Sequence, residues 1–377
     1  MDRKRYPFQK SWRWRLVRVI DFWLDRLGHR SRPVSPPKNV HHILVVRLDH
    51  IGDIICSLPA LPLLRKRFPG ATITMLTGEI GTALLKDHPD VDHLLLFKRN
   101  WFSRNGRMDW SEWLRLVLAL RKGTFDIGFD LRGDLRNILL MWLGGVRYRI
   151  GYEIGGGGGL LHQVGEYDLS LHQAELNVKL VTGHLIPKEQ LKPQIHIGSE
   201  ETAWASRYLD QVGCSKTDRL IAVHPEAGYP AKEWETARIK DLIDRLLLQP
   251  ENRIIIFGLS QAHQIAQVFA HDHWVIDTVG TLSLRQMTAL MKACNLFIGN
   301  DSGPSHLAQA LDIPSLIIAS GTNEYEKWGV WAQTARVLKH AVPCAPCHLR
   351  FCNVSGHPCM SEISAEEAYQ AVQEIGL

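Results

Sequence analysis

The sequence predicts an α/β protein made of two doubly wound, Rossmann-like halves. Three observations carry this reading. The chain has 377 residues, enough for two or three domains at roughly 150 residues each. From residue 41 onward, short apolar runs alternate with helix-length amphipathic segments, the pattern of parallel strands joined by crossover helices. That alternation stops and then restarts, which places a joint between about residues 185 and 200.

His42 to Val46 (HILVV) opens the first half. Its unbroken apolar run suits a strand covered on both faces. Ala71 to Leu76, His93 to Phe97 and Asp126 to Leu131 follow as strands, each separated by a helical pattern. The second set is Arg219 to His224, Arg253 to Gly258, His273 to Ile276, Leu296 to Gly299 and Ser315 to Ala319. The expected division is an arm and linker over 1–40, a first half over 41–195 and a second over 196–377. Ligands of such folds bind outside the carboxyl ends of the strands, so the loops there should hold the chemistry.

With 45% hydrophobic residues and a net charge of +5, disordered, collagenous and small disulfide-stapled classes are excluded. No run of about 18 apolar residues occurs, and the opening MDRKRYPFQK lacks the short basic region and apolar stretch of a signal peptide. Seven cysteines, four of them crowded between Cys344 and Cys359, fit a reducing compartment better than a disulfide framework. The expectation is a cytoplasmic protein.

The charge is unevenly distributed. Residues 1–40 hold 11 Lys and Arg against three Asp, a net of +8, and the remainder holds 33 basic and 36 acidic side chains, a net of −3. Within the arm, Phe8, Trp12, Leu16, Val19, Ile20, Trp23 and Leu27 repeat at helical spacing, with Lys10, Arg13, Arg18, Asp21, Asp25 and Arg26 largely on the other face. A basic amphipathic helix with tryptophans on its apolar side suits an anionic membrane surface; a helix docked on the protein body gives the same pattern. No groove-reading motif accompanies it, so nucleic acid is not an expected partner. Pro33, Pro36 and Pro37 make the following segment a linker.

Two loops stand out. After the first strand comes Arg47-Leu48-Asp49-His50-Ile51-Gly52-Asp53, where Gly52 permits a tight turn and Asp53 begins the next helix. A carboxylate there is either a plain helix cap or a base kept ionised by the helix N-terminus. In the second half, Gly299-Asn300-Asp301-Ser302-Gly303-Pro304-Ser305-His306 joins a strand end to a helix start. Capping oxygens, an unobstructed glycine and a proline suited to the first turn form an anion cradle, to which His306 could add a donor. Upstream, Lys232 lies in Ala231-Lys232-Glu233-Trp234, placed either to neutralise a phosphate or simply to face solvent.

These stretches in this order resemble the bacterial heptosyltransferases, glycosyltransferase family nine. The blocks that carry the resemblance are ILVVRLDHIGDIICSLPALPLLRKRFPGA, FDIGFDLRGDLRN, RYRIGY, AKEW and IGNDSGPSHLAQAL, which span nearly all of the chain past residue 41. The resemblance implies a GT-B fold, two halves facing across a cleft, with the acceptor on the first and the sugar nucleotide on the second. It implies inverting transfer of a heptose from ADP-heptose to a lipopolysaccharide-type acceptor at the cytoplasmic face of the inner membrane, with no metal. By position, Asp53 resembles the base; Lys232, Asp301, Ser302, Gly303 and His306 resemble the donor-binding set. No Asp-x-Asp metal motif stands in a suitable loop.

The chain departs from the family pattern in several places. Where an acidic residue commonly meets the donor ribose, the sequence reads Phe257-Gly258-Leu259-Ser260-Gln261, so Gln261 becomes the candidate. Asp49, a candidate acceptor-side group, replaces a small hydroxyl residue, and a second carboxylate near Asp53 would raise one of the two pKa values. The run Gly155 to Gly159 reads as a flexible loop, with a mobile acceptor-side flap as the functional alternative. Cys344, Cys347, Cys352 and Cys359, spaced C-x2-C-x4-C-x6-C, could hold a structural zinc or iron. Trp101 to Trp113, with Arg104 and Arg107, reads either as a basic aromatic loop for a phosphorylated acceptor or as a docking cluster. Competing readings are transfer of another sugar or onto protein, sugar-nucleotide epimerisation, and nucleotide-sugar binding without catalysis.

Overall fold

The computed structural model describes residues 21–24, 35–98, 101, 109–259 and 262–376. The chain divides into two compact units between Leu191 and Lys192.

The first unit runs β1 (His42–Val46), α1 (Ile51–Ser57), α2 (Ala60–Arg67), β2 (Thr72–Thr77), α3 (Glu79–Leu84), β3 (His93–Leu96), α4 (Trp110–Gly123), β4 (Ile127–Asp130), α5 (Leu135–Leu143), β5 (Tyr148–Gly151), β6 (Gln163–Val164) and α6 (Gln173–Thr182). Its strands pair in the order β3-β2-β1-β4-β5-β6, all parallel. This is the order of dinucleotide-binding folds, whose direction reverses between β1 and β4. There, Val46 stands opposite Asp130. Continuous burial along β1 and β2 explains their apolar runs. On one face, Leu116, Val117 and Leu120 of α4 pack with Ile138, Leu140 and Met141 of α5.

The second unit runs α7 (Ser199–Gln211), β7 (Arg219–His224), α8 (Thr236–Leu246), β8 (Asn252–Ile256), α9 (Ala262–Val268), β9 (Val275–Asp277), α10 (Leu284–Lys292), β10 (Leu296–Asn300), α11 (Gly303–Ala310), β11 (Ser315–Ile318), α12 (Tyr325–Trp328), β12 (Ala335–Leu338), α13 (Pro358–Ser361) and α14 (Ala365–Glu374). Its order, β12-β11-β10-β7-β8-β9, repeats that of the first unit, with the reversal between β7 and β10. The nine strands expected from the sequence are present with small shifts at their ends. Three more are present: β5 and β6 extend the first sheet beyond β4, and β12 forms one edge of the second.

Those three escaped for physical reasons. In β5 the apolar pattern is broken by Arg149, which is buried because its guanidinium donates to Leu160 O and Val146 O, each at 2.6 Å. β6 is two residues long, and β12 is a partly exposed edge.

The glycine run is a packed turn, not the flexible loop expected. Gly156 to Gly159 are buried, and Gly155 N–H donates to Gly133 O at 2.8 Å. A Cβ on Gly155 would sit 2.5 Å from that same oxygen, so the close approach requires glycine.

Of the arm, residues 21–24 are described, and they correct the expected placement of Asp21. Asp21, placed by periodicity on the solvated side, is buried and accepts Gly157 N–H at 2.7 Å. Leu24 packs on the core of the first unit. Trp23, expected on the apolar face, is exposed with Phe22. The rest of the expected helix over 8–27 lies outside the described residues. Among the described residues no helix is long and apolar enough to cross a membrane.

Candidate active site

In the first unit, β1 delivers Arg47 into the interior just beyond its last residue. Arg47 is fully buried and its Nη1 donates to Leu131 O at 2.7 Å. Its Nη2 lies 3.0 Å from Asp53 Oδ1 and 3.7 Å from Asp49 Oδ2. Asp53 is the third residue of α1, where the helix N-terminus favours its charge, and its Oδ2 accepts His50 N–H at 3.4 Å. One guanidinium thus orients the candidate base, whose side chain keeps 17% of its surface exposed. Gly52 lies inside α1 without a positive φ, so the tight turn expected of it is absent.

Asp49 is corrected by this arrangement. It was expected on the acceptor side, but its side chain is wholly buried between Arg47 and Arg132. Burial alone would raise its carboxyl, yet Arg47 and Arg132 outweigh burial and hold it below the usual range. The expected upward shift from two neighbouring carboxylates therefore fails for Asp49, because Arg47 stands between them.

Arg132 comes from the loop after β4, which Asp130 builds. The Asp130 carboxylate accepts N–H groups from Arg132, Gly133 and Asp134 at 3.3, 2.9 and 3.0 Å, and Asn137 Nδ2 at 2.8 Å. Burial nevertheless pushes its carboxyl up to about 7. Since the folded pKa then exceeds the unfolded one, the folded state holds a proton that the unfolded state has lost, and stability falls as pH rises from about 4 to about 7. The unfolding free energy of the wild type relative to Asp130→Asn is expected to drop by about 2–4 kcal/mol between pH 4 and pH 8. Urea denaturation at the two pH values measures it, and a constant difference would contradict the shift.

In the second unit, the loops after β7 and β10 are joined by two side chains. Asn300 Nδ2 donates to Pro225 O at 2.6 Å, and its Oδ1 accepts Trp234 N–H at 3.1 Å. Lys232, for which a phosphate and open solvent were the two readings, is buried and bound to Asp301, with Nζ 2.9 Å from Oδ2 and 3.1 Å from the carbonyl oxygen. Ser302 caps α11 by backbone conformation, while its Oγ is buried and makes no hydrogen bond among the described residues. Gly303 and Pro304 begin the helix, and His306 is buried one turn in, its ring 6.4 Å from that of Trp331.

Sequence reasoning missed Arg47, Arg132 and Glu226. Glu226 follows β7, and its carboxylate accepts Leu259 N–H at 2.9 Å and Ala262 N–H at 2.8 Å. An acidic group thus reaches the loop after β8, which looked empty of one, from a different strand. Gln261, Arg104 and Arg107 lie outside the described residues. Of the Trp-rich stretch, Trp101 packs edge-on against Phe97 at 5.2 Å, beneath Arg136, as a docking residue does.

The four C-terminal cysteines do not form a metal site as placed. Cys344 is exposed, Cys359 is buried in the core with its thiol pushed up by burial, and among the described residues no three His, Cys, Asp or Glu side chains could hold a metal ion. Their segment does something else: His357 Nε2 lies 3.1 Å from Ala231 O, and Ala231 N–H donates to Arg350 O at 3.1 Å. It buttresses the turn that carries Lys232.

Two Rossmann-like units with the same strand order in one chain are the architecture of the GT-B fold. Residues 113–356 match glycosyltransferase family 9 (heptosyltransferase), and the chain belongs to that family. It is 24% identical over 313 residues to lipopolysaccharide heptosyltransferase 2 of Escherichia coli K12, covering 79% of this chain and 87% of that protein. A family 9 glycosyl transferase from Veillonella parvula superposes with a TM-score of 0.78 at 21% identity, over 90% of this chain and 99% of the other. The Escherichia coli ADP-heptose lipopolysaccharide heptosyltransferase II superposes with a TM-score of 0.72 at 21% identity, over 89% and 98%. The protein is a heptosyltransferase-like enzyme.

Proposed function

We propose that the enzyme moves a heptose from ADP-heptose to a lipopolysaccharide core-type acceptor, with inversion and without a metal, at the cytoplasmic face of the inner membrane. The observation that carries this is the placement of an oriented, part-exposed carboxylate at one reversal point and a buried lysine beside a helix N-terminus at the other. The first is what a nucleophilic hydroxyl needs, and the second is what a departing diphosphate needs.

In this reading the acceptor oxygen bonds to the anomeric carbon as the bond from that carbon to the diphosphate oxygen breaks. The bonding pair leaves with ADP and the hydroxyl proton passes to Asp53. Lys232 and the N-terminus of α11, with Ser302, Gly303 and His306, meet the charge that grows on the diphosphate. Asp301 holds Lys232 in place. Gln261 would meet the donor ribose, and Arg104 and Arg107 the anionic groups of the acceptor. The relatives' names supply heptose, ADP and lipopolysaccharide.

Incubating the purified protein with ADP-heptose and a core acceptor tests this. Expected are release of ADP and addition of one heptose, with Asp53→Asn lowering kcat by about 10²–10⁴ while donor affinity stays within about twofold. Product formed from the donor alone would mean epimerisation, and full activity in Asp53→Asn would remove the base.

A further inference from the structure

We propose that α4 is a lipid-facing element, by which the first unit itself rests on an anionic membrane surface. One side of this helix is accounted for by Leu116, Val117 and Leu120, buried in the core. The other side is not. Trp110, Leu114 and Leu118, spaced by four, form a single row and are 71%, 54% and 50% exposed. Scattered exposed apolar residues need no explanation, but a row of three large ones on one helix does.

The charges beside the row select the partner. Arg115, Arg121 and Lys122 are exposed on the same helix. Its only carboxylate, Glu112, is half-buried and accepts Lys98 N–H at 2.7 Å. Asp109, just before the helix, is occupied in capping Ser111 and Glu112 N–H groups. Arg121 donates to Leu143 O at 2.7 Å, and Trp142, the residue before that carbonyl, is 41% exposed. Tryptophan at the start of the row, leucines after it and cations alongside is the composition of helices that lie in the headgroup layer. A second copy of the chain would bring cation against cation, and lysine is depleted in protein interfaces.

The arm reinforces the choice. Its described turn is tied to this same unit through Asp21 and Leu24, and presents Phe22 and Trp23 outward at 50% and 56% exposure. The surface proposed here thus adds to the basic arm a part of the folded body, and it requires neither a donor nor an acceptor.

The test is sedimentation of the full-length protein with vesicles of 30% phosphatidylglycerol in phosphatidylcholine, without sugar substrates. Trp110→Ser/Leu114→Gln/Leu118→Gln is expected to weaken partitioning about tenfold or more at unchanged Tm, since all three side chains lie outside the core. Arg115→Gln/Lys122→Gln is expected to weaken it by a similar factor and to flatten its salt dependence. Partitioning unchanged in both variants would overturn the proposal. So would a wild-type dimer that the triple substitution converts to a monomer, because the row would then be a contact between copies.

Discussion

Replacing Arg47 with methionine is expected to lower the unfolding free energy by about 3–5 kcal/mol, the usual result of removing one partner from a buried ion pair. Asp49 carries the penalty. Its side chain is wholly buried, and without Arg47 its remaining ion pair among the described residues is with Arg132, whose own side chain is more than a third exposed. Asp53 loses less, because it can turn to water. The double variant Arg47→Met/Asp49→Asn is therefore expected to recover most of the loss, while Lys66→Met, an exposed lysine on α2, should stay within about 0.5 kcal/mol of the wild type. Urea unfolding of the four proteins decides the matter. A loss below about 1 kcal/mol in the single variant would mean that Asp49 takes up a proton or water and that Arg47 serves only to orient Asp53. In either case transfer activity should fall further than stability explains, since the candidate base would no longer be held at 3.0 Å.

How far the sequence could be read depended on whether an effect is local. Strands buried on both faces announce themselves as apolar runs, so β1, β2, β7 and β10 were visible directly, and so was the helix start at Pro304. The charged groups at the reversal points were visible as residues but not as pairs. Lys232 and Asp301 lie 69 positions apart and meet because β7 and β10 are neighbours in the sheet. Arg132 reaches Asp49 across 83 positions for the same reason, through β1 and β4. A lone buried arginine such as Arg47 has no sequence signature at all, because its burial is possible only once its partners are in place.

The same limit explains the misreadings. Spacing made the cysteines look like ligands, but among the described residues no three side chains are placed to hold a metal, and their segment is held by backbone contacts to Gly321, Thr322 and Ala231. Five glycines look flexible when no neighbour is known. The carbonyl of Gly133 turns that composition into a packing requirement. Asp21 looked solvated because periodicity assigns faces without knowing that a buried N–H group at Gly157 needs an acceptor.

Lys232→Met is expected to affect two quantities that can be separated. It removes the ammonium proposed to receive the diphosphate, and it leaves Asp301 buried without its cation. The first should weaken ADP binding by about 10–100-fold, the range for one charge-assisted contact to a phosphate oxygen. The second should lower stability by about 3–5 kcal/mol. Adding Asp301→Asn neutralises the orphaned carboxylate, so the double variant is expected to regain most of the stability and none of the affinity. Denaturation gives one quantity, and calorimetric titration with ADP at a temperature where every variant is folded gives the other. If affinity returned together with stability, Lys232 would be a scaffold residue joining the β7 and β10 loops, and the diphosphate would have to be held by the α11 N-terminus alone. If neither changed in the single variant, the ion pair would be incidental to both. Only loss of affinity that persists in the repaired protein assigns the ammonium to the donor, and that outcome follows from its position, buried beside a helix N-terminus that already favours an anion.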